Sequence, residues 1–252
     1  MSAAGLLIAA FAGAMFGSFL TVVAHRVPRG ESVVGGRSMC PTCGHQIAAY
    51  DNVPVFSWLT LRGRSRCCGE PISARYPLTE ITLAALFIGV VLRFHGDWGQ
   101  IALGLVFSAT LLAITLTDLE RRIIPNRVLL VAAVIGVSIV AVSDPASLPE
   151  RLACGLGAGG ALFIAALAYP GGMGMGDVKL AAVMGLFLGI EVIPALLIAL
   201  LAGSVVGIAL IVREGAAARK KAIPFGPFLA LGGVAALFAG HALIDLYLRT
   251  FT

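Results

Sequence analysis

Two aspartates, Asp118 in TDLERRIIPN and Asp177 in GMGMGDVKL, each adjoin a hydrophobic stretch, and two further apolar stretches separate them. An even number of crossings returns the chain to the side it left, so both carboxylates belong to one side of a bilayer. An ionisable group at the margin of a membrane span is costly and marks function. Two carboxylates held close cannot both ionise cheaply, so they share one proton and titrate as a pair. The ionised member activates water as a general base while the protonated member polarises a carbonyl, which is the chemistry of aspartyl hydrolysis. Alone, either aspartate reads as well as a helix cap or a solvated helix end. Which of the two acts as base stays open.

Cys40, Cys43, Cys67 and Cys68 form a second constellation, all within one polar stretch. CPTCGH is a knuckle whose thiolates take two corners of a tetrahedron, and the pair in RCCG closes the other two across 23 residues. The second pair is adjacent, and neighbouring thiolates do not readily adopt knuckle geometry. Cys40, Cys43 and Cys68 are therefore the firmest zinc ligands and Cys67 the fourth, with His45 and Ser65 close in sequence. Such a zinc would be structural, since a small segment with little apolar content needs a staple. The alternative is a set of reduced, metal-free cysteines. Cys154 lies inside a span and reads as a packing residue, and His25, His95 and His241 are too dispersed for a ligand set.

The elements that must position these residues are membrane helices. The chain of 252 residues is 59% hydrophobic and 12% charged, with a mean hydropathy of +0.97. Runs able to cross about 30 Å of hydrocarbon as helix fall at 5–24, 77–92, 98–117, 128–143, 152–169, 193–212 and 225–246. A shorter run at 178–190 completes an expected count of about eight and is its weakest member. The fold class is all-α, a polytopic membrane protein with a small Cys-rich insert. Its parts are a first transmembrane helix at 1–24, the insert at 25–76 and a membrane core at 77–252. The first span lacks a basic leading region and runs directly into a polar segment, so it reads as a retained helix rather than a cleaved signal.

Parity puts 15 of the 18 Lys and Arg residues on one side, including Arg26, Arg37, Arg66, Arg122, Lys179 and Arg219 to Lys221. Only Arg93, Arg151 and Arg249 fall opposite. The positive-inside bias then sets the N-terminus outside and the insert and both aspartates in the cytoplasm. Thiols stay reduced there, which favours metal over disulfides. The basic residues are not interleaved with stacking aromatics, so nucleic acid is not an expected partner. The 219–221 cluster reads as a topology determinant, with anionic membrane lipid as its other partner. The Gly-rich run before Asp177 lacks Walker spacing and ends in a carboxylate, against a phosphate cradle. Small-residue runs at 154–160 and 203–207 suit close helix packing.

Six ordered motifs together resemble the bacterial prepilin peptidases, the type IV leader peptidase family of membrane aspartyl proteases. They are GSFLTVVAHRVPRG at 17–30, CPTCGHQIAAYDNVPVFSWL at 40–59, GEPISARYPLTE at 69–80, TDLERRIIPN at 117–126, GMGMGDVKL at 172–180 and PFGPFLALG at 224–232. One departure is RCCG, where the family usually carries C-x-x-C-G and this chain has Ser65 at the first position.

The resemblance implies that Asp118 and Asp177 are catalytic and that the substrates are type IV prepilins and related secretion pseudopilins. It also implies N-methylation of the new terminus from S-adenosylmethionine, associated with the insert, in a bacterial inner membrane. No nucleotide-binding fingerprint locates the donor. A transporter coupling protons or cations through paired carboxylates is the main alternative. A partner-binding insert anchored by the spans is a third reading.

Overall fold

The computed structural model of the chain describes residues 2–33, 38–40, 42–169, 172–215 and 223–251. Arg37 and the 219–221 cluster of the charge argument lie outside them. Nine α-helices follow in order among the described residues: α1 (Ala3–Arg26), α2 (Phe56–Thr60), α3 (Arg75–Arg93), α4 (Trp98–Arg121), α5 (Asn126–Ser143), α6 (Leu148–Ala168), α7 (Met175–Leu188), α8 (Val192–Glu214) and α9 (Gly226–Phe251). Extended structure among those residues amounts to two isolated bridges, Met39 with Gln46 and Arg64 with Pro71.

Seven stretches among the described residues are long and apolar enough to cross a membrane. One of them, Met175–Glu214, contains both α7 and α8. The chain breaks between the two at Gly189, whose φ of 61° suits glycine. Eight apolar helices therefore occupy the expected spans. The weakest of them, α7, has 14 residues and a length of about 21 Å, short of a hydrocarbon core.

Two compact units divide the chain, Met1–His95 and Gly96–Thr252. In the first, α1 packs along α3. A Cβ on Gly13 would fall 2.6 Å from the Ala84 Cα, and one on Gly17 would fall 2.7 Å from the Glu80 Cα. Lipid tails are as apolar as leucine, so spans associate by close packing rather than by the hydrophobic effect, and a Gly-x-x-x-Gly face provides it.

In the second unit α7 is the central element, contacting α4, α5, α6, α8 and α9. Leu180, Ala181 and Met184 are fully buried on it, and Phe187 stacks on Phe107 of α4 at 5.1 Å. A helix enclosed by its neighbours need not match the bilayer thickness. The expected small-residue packing holds at Gly155, where α6 meets the Gly185 backbone of α7. It holds less at 203–207: Gly203 touches Phe225, but nothing lies within 4 Å of a Cβ on Gly207.

Candidate active site and metal centre

Asp118 is in the last turn of α4 and Asp177 in the first turn of α7, and the two helices touch. Both side chains are buried, at 5% and 8% exposure, and each lies within reach of the other's charge. Each accepts a single kind of donor. The Gly226 N–H, at the start of α9, donates to Asp118 Oδ2 at 2.8 Å, and the Gly174 N–H donates to Asp177 Oδ2 at 3.1 Å. The second bond is the reach of an N3 carboxylate back to the N-cap amide. The C-terminus of α4 and the N-termini of α7 and α9 therefore meet at one end of the bundle.

Helix N-termini carry unpaired N–H groups and partial positive charge, which suits carboxylates there. The cap reading of Asp177 is therefore met by the Gly174 N–H. Asp118 sits at the opposite kind of terminus, where a carboxylate is disfavoured, and the α9 amide compensates. Arg122, the left-handed residue that closes α4 at φ 55°, adds a positive charge nearby.

The residue that sequence reasoning missed is Gly226. Its motif, PFGPFLALG, was visible without a role. A Cβ there would stand 2.7 Å from Asp118 Oδ2, so glycine is required for close approach rather than for backbone freedom.

The four cysteine sulfurs of the insert lie within 4.8 Å of one another. Cys40 Sγ is 3.6 Å from Cys68 Sγ, Cys43 is 3.3 Å from Cys67, and Cys67 is 4.0 Å from Cys68. Four thiolates about 2.3 Å from a tetrahedral centre stand about 3.8 Å apart, so the donor set fits zinc.

The two loops are built alike. The Cys40 N–H donates to the His45 carbonyl and the Gly44 N–H to the Cys40 carbonyl, each at 2.9 Å. The Ser65 N–H donates to the Glu70 carbonyl and the Gly69 N–H to the Ser65 carbonyl, each at 2.8 Å. Gly44 and Gly69 share φ near 70°. Ser65 thus occupies the first knuckle position in the second loop, and Cys67 reaches the cluster from the adjacent residue. The adjacency that argued against Cys67 is resolved by the Ser65 hydroxyl, 2.9 Å from Cys67 Sγ and 3.8 Å from Cys40 Sγ.

Backbone N–H groups of Cys43 and then Thr42 lower the Cys40 thiol to about 6. At Cys43 the His45 N–H favours the thiolate, but the Cys67 thiol, burial and the other cysteines outweigh it and push Cys43 up to about 12.

Glu80, for which the sequence suggested no role, anchors the insert to α3. It is buried at the first turns of α3 and accepts the Val55 N–H on Oε2 at 2.6 Å. Val55 has φ 61° and ψ −50°, and the Phe56 N–H bonds the Pro54 carbonyl across it. That is a γ-turn of the strained hand, costing about 1–3 kcal/mol. A hydrogen bond to a charged acceptor contributes about 1.5–3 kcal/mol and offsets it.

The model of the bacterial peptidase A24 N-terminal domain matches residues 11–94, and that of the type IV leader peptidase family matches 105–212. The chain is 36% identical to a prepilin leader peptidase/N-methyltransferase of Aeromonas hydrophila, over 94% of this chain and 91% of that protein. It is 36% identical to one from Burkholderia pseudomallei (strain 1026b), covering 93% and 85%. It is 32% identical to one from Bacillus subtilis (strain 168), covering 94% and 95%. No solved structure matches the chain. With relatives this similar over nearly its whole length, and with two buried carboxylates converging inside the matched region, the chain belongs to the type IV leader peptidase family of membrane proteases.

Proposed function

We propose that this protein is a membrane aspartyl endopeptidase that removes the leader of type IV prepilins or pseudopilins and then N-methylates the exposed terminus. The observation that carries the peptidase reading is the convergence of Asp118 and Asp177 at one end of the bundle, each held by one backbone N–H. The donor falls on Oδ2 in both, which leaves an oxygen of each for a shared proton. One carboxylate takes a proton from water as it attacks the scissile carbonyl, and the other donates to the developing oxyanion. The proton then passes to the leaving amine. Membership of a peptidase family favours this over proton- or cation-coupled transport.

The charge distribution supports a cytoplasmic site in the bacterial inner membrane with the N-terminus outside. A substrate with its apolar helix in the bilayer and its polar leader in the cytoplasm would meet the carboxylates there. S-adenosylmethionine is the methyl donor in this reading, drawn from the names of the relatives. Cys40, Cys43, Cys67 and Cys68 would hold one structural zinc, which supplies folding energy to the insert and no chemistry to the reaction. Incubation of the detergent-purified protein with a prepilin and S-adenosylmethionine, followed by mass analysis, tests both activities. Loss of the leader mass and a gain of one methyl are expected; an unchanged substrate refutes the peptidase reading.

A further inference from the structure

The insert exposes apolar side chains that its own interior does not use. Phe56 and Leu59, three residues apart on α2 and so on one face, are 64% and 60% exposed, and Val53 just before them is exposed as well. No charged residue falls between Asp51 and Arg62. Trp58, by contrast, turns into the insert: its indole N–H donates to the Ile72 carbonyl at 3.0 Å, and its ring lies where a Cβ on Gly63 would be. Contiguous exposed apolar side chains bounded by charge mark an interaction surface.

The backbone of this run is satisfied without water. Pro54 has no N–H. The Val53 N–H donates to the Ser57 hydroxyl at 3.1 Å, and that hydroxyl donates onward to the Tyr50 carbonyl at 3.1 Å. The Val55 N–H donates to Glu80 Oε2, and the Phe56 N–H to the Pro54 carbonyl. The Ser57 N–H donates to the Val53 carbonyl at 3.1 Å and the Leu59 N–H to the Val55 carbonyl at 3.0 Å. A loop facing water has no need of such completeness, whereas backbone beside lipid must find its partners internally.

The Glu80 bond also sets a depth. Glu80 is buried within α3, and on the same helix Leu78 and Ile81 are exposed. It lies about 7 Å along the helix axis from Arg75, the charged residue at which α3 begins. A segment fastened to it is level with the boundary between headgroups and acyl chains, the depth of about 5–10 Å at which interfacial helices lie.

We propose that Val53, Phe56 and Leu59 are an interfacial anchor, by which α2 lies in the headgroup-to-acyl boundary of the bilayer and continues the lipid-facing surface of α3 at Leu78 and Ile81. The partner is the phospholipid leaflet itself. The run carries no charge, so the contact is apolar burial and not recognition of a headgroup. The insert is then held against the membrane twice, by Glu80 from within the protein and by lipid from outside, instead of projecting freely into water.

The test places the full-length protein in phosphatidylcholine–phosphatidylglycerol nanodiscs, which leave both membrane faces open to buffer. Tryptophan emission is read in Phe56→Trp and, separately, Leu59→Trp, with the wild-type signal of Trp58 and Trp98 subtracted. Lipids brominated near the headgroup end of the acyl chain are expected to lower the added emission about twofold or more, as for side chains at interfacial depth, and iodide in the buffer to leave it nearly unchanged. Added emission that iodide quenches and brominated lipid does not, in a variant with the wild-type thermal midpoint, overturns the anchor. Shielding from both quenchers overturns it equally, because protein, a second copy or another part of this chain, would then cover the face. Each position is a separate reading, so if one variant does not fold the other decides.

Discussion

The Gly226 N–H reaches Asp118 Oδ2 at 2.8 Å across 108 residues of sequence, so the start of α9 holds the end of α4. The same contact leaves no space for a side chain at Gly226. Gly226→Ala is expected to push the carboxylate away from Asp177 and lower kcat for prepilin cleavage by about 100-fold, the scale of a 1 Å misplacement in an active site. Cleavage kinetics in detergent, with the thermal midpoint as a folding control, check this. A near wild-type rate in a folded variant would show that the α9 amide does not position the carboxylate.

Asp118→Asn and Asp177→Asn are each expected to abolish cleavage while the protein still inserts and folds. A carboxamide cannot share the proton, and the backbone bonds from Gly226 and Gly174 still find an acceptor oxygen. Single-turnover assays on a prepilin report the loss. Residual cleavage near the wild-type rate in either variant would remove that residue from the chemistry.

Zinc should be present at about one per chain, and the matching geometry of the two loops makes a sharper expectation. Ser65 has the backbone bonds of Cys40, so the double change Ser65→Cys, Cys67→Ser should retain the metal, while Cys67→Ser alone should weaken it. Elemental analysis after dialysis against a chelator separates the three proteins. Equal loss from the single and double variants would mean that position 65 cannot serve as a ligand.

Much of this was legible beforehand because membrane spans announce themselves by length and hydropathy, and because Asp118 and Asp177 sit at positions where a carboxylate is costly. What the sequence hid depends on backbone atoms. Gly226 and Gly174 act through N–H groups, and Glu80 acts on the N–H of Val55, so no side-chain pattern pointed to these partners. Cys67 is a different case: adjacency argued against it, and only the loop geometry around Ser65 shows how it joins the cluster. The short α7 was ambiguous for a physical reason too, since a helix covered on most faces by protein has no bilayer thickness to match.

The insert should also show an acid limit. The Arg66 guanidinium, by hydrogen bond and then by charge, holds the Asp51 carboxyl below its ordinary value of 3.8. A carboxyl lowered in the folded state stabilises fully above its unfolded value and loses that contribution as pH falls through the folded one. The difference in thermal midpoint between wild type and Asp51→Asn should therefore be constant near neutral pH and shrink below about pH 4. Comparing the two proteins cancels acid effects on the cysteines, which they share. A difference that persists unchanged to pH 2 would mean that the Arg66 pair does not stabilise the insert.

Cleavage and methylation should be separable, because the aspartates lie in the Gly96–Thr252 unit and the Cys-rich insert in Met1–His95. Methyl transfer needs a neutral amine and a bound donor, and neither requires a proton shared by Asp118 and Asp177. Asp177→Asn given a pilin with its leader already removed should methylate it at close to the wild-type rate. Cys40→Ser, which removes the buried corner of the cluster, should depress methylation more than cleavage, since the insert that the cluster would staple is the part the family resemblance associates with methylation. Radiolabelled methyl transfer scored beside leader removal for both variants makes the comparison. A parallel fall of both activities in each variant would replace two sites with one shared site.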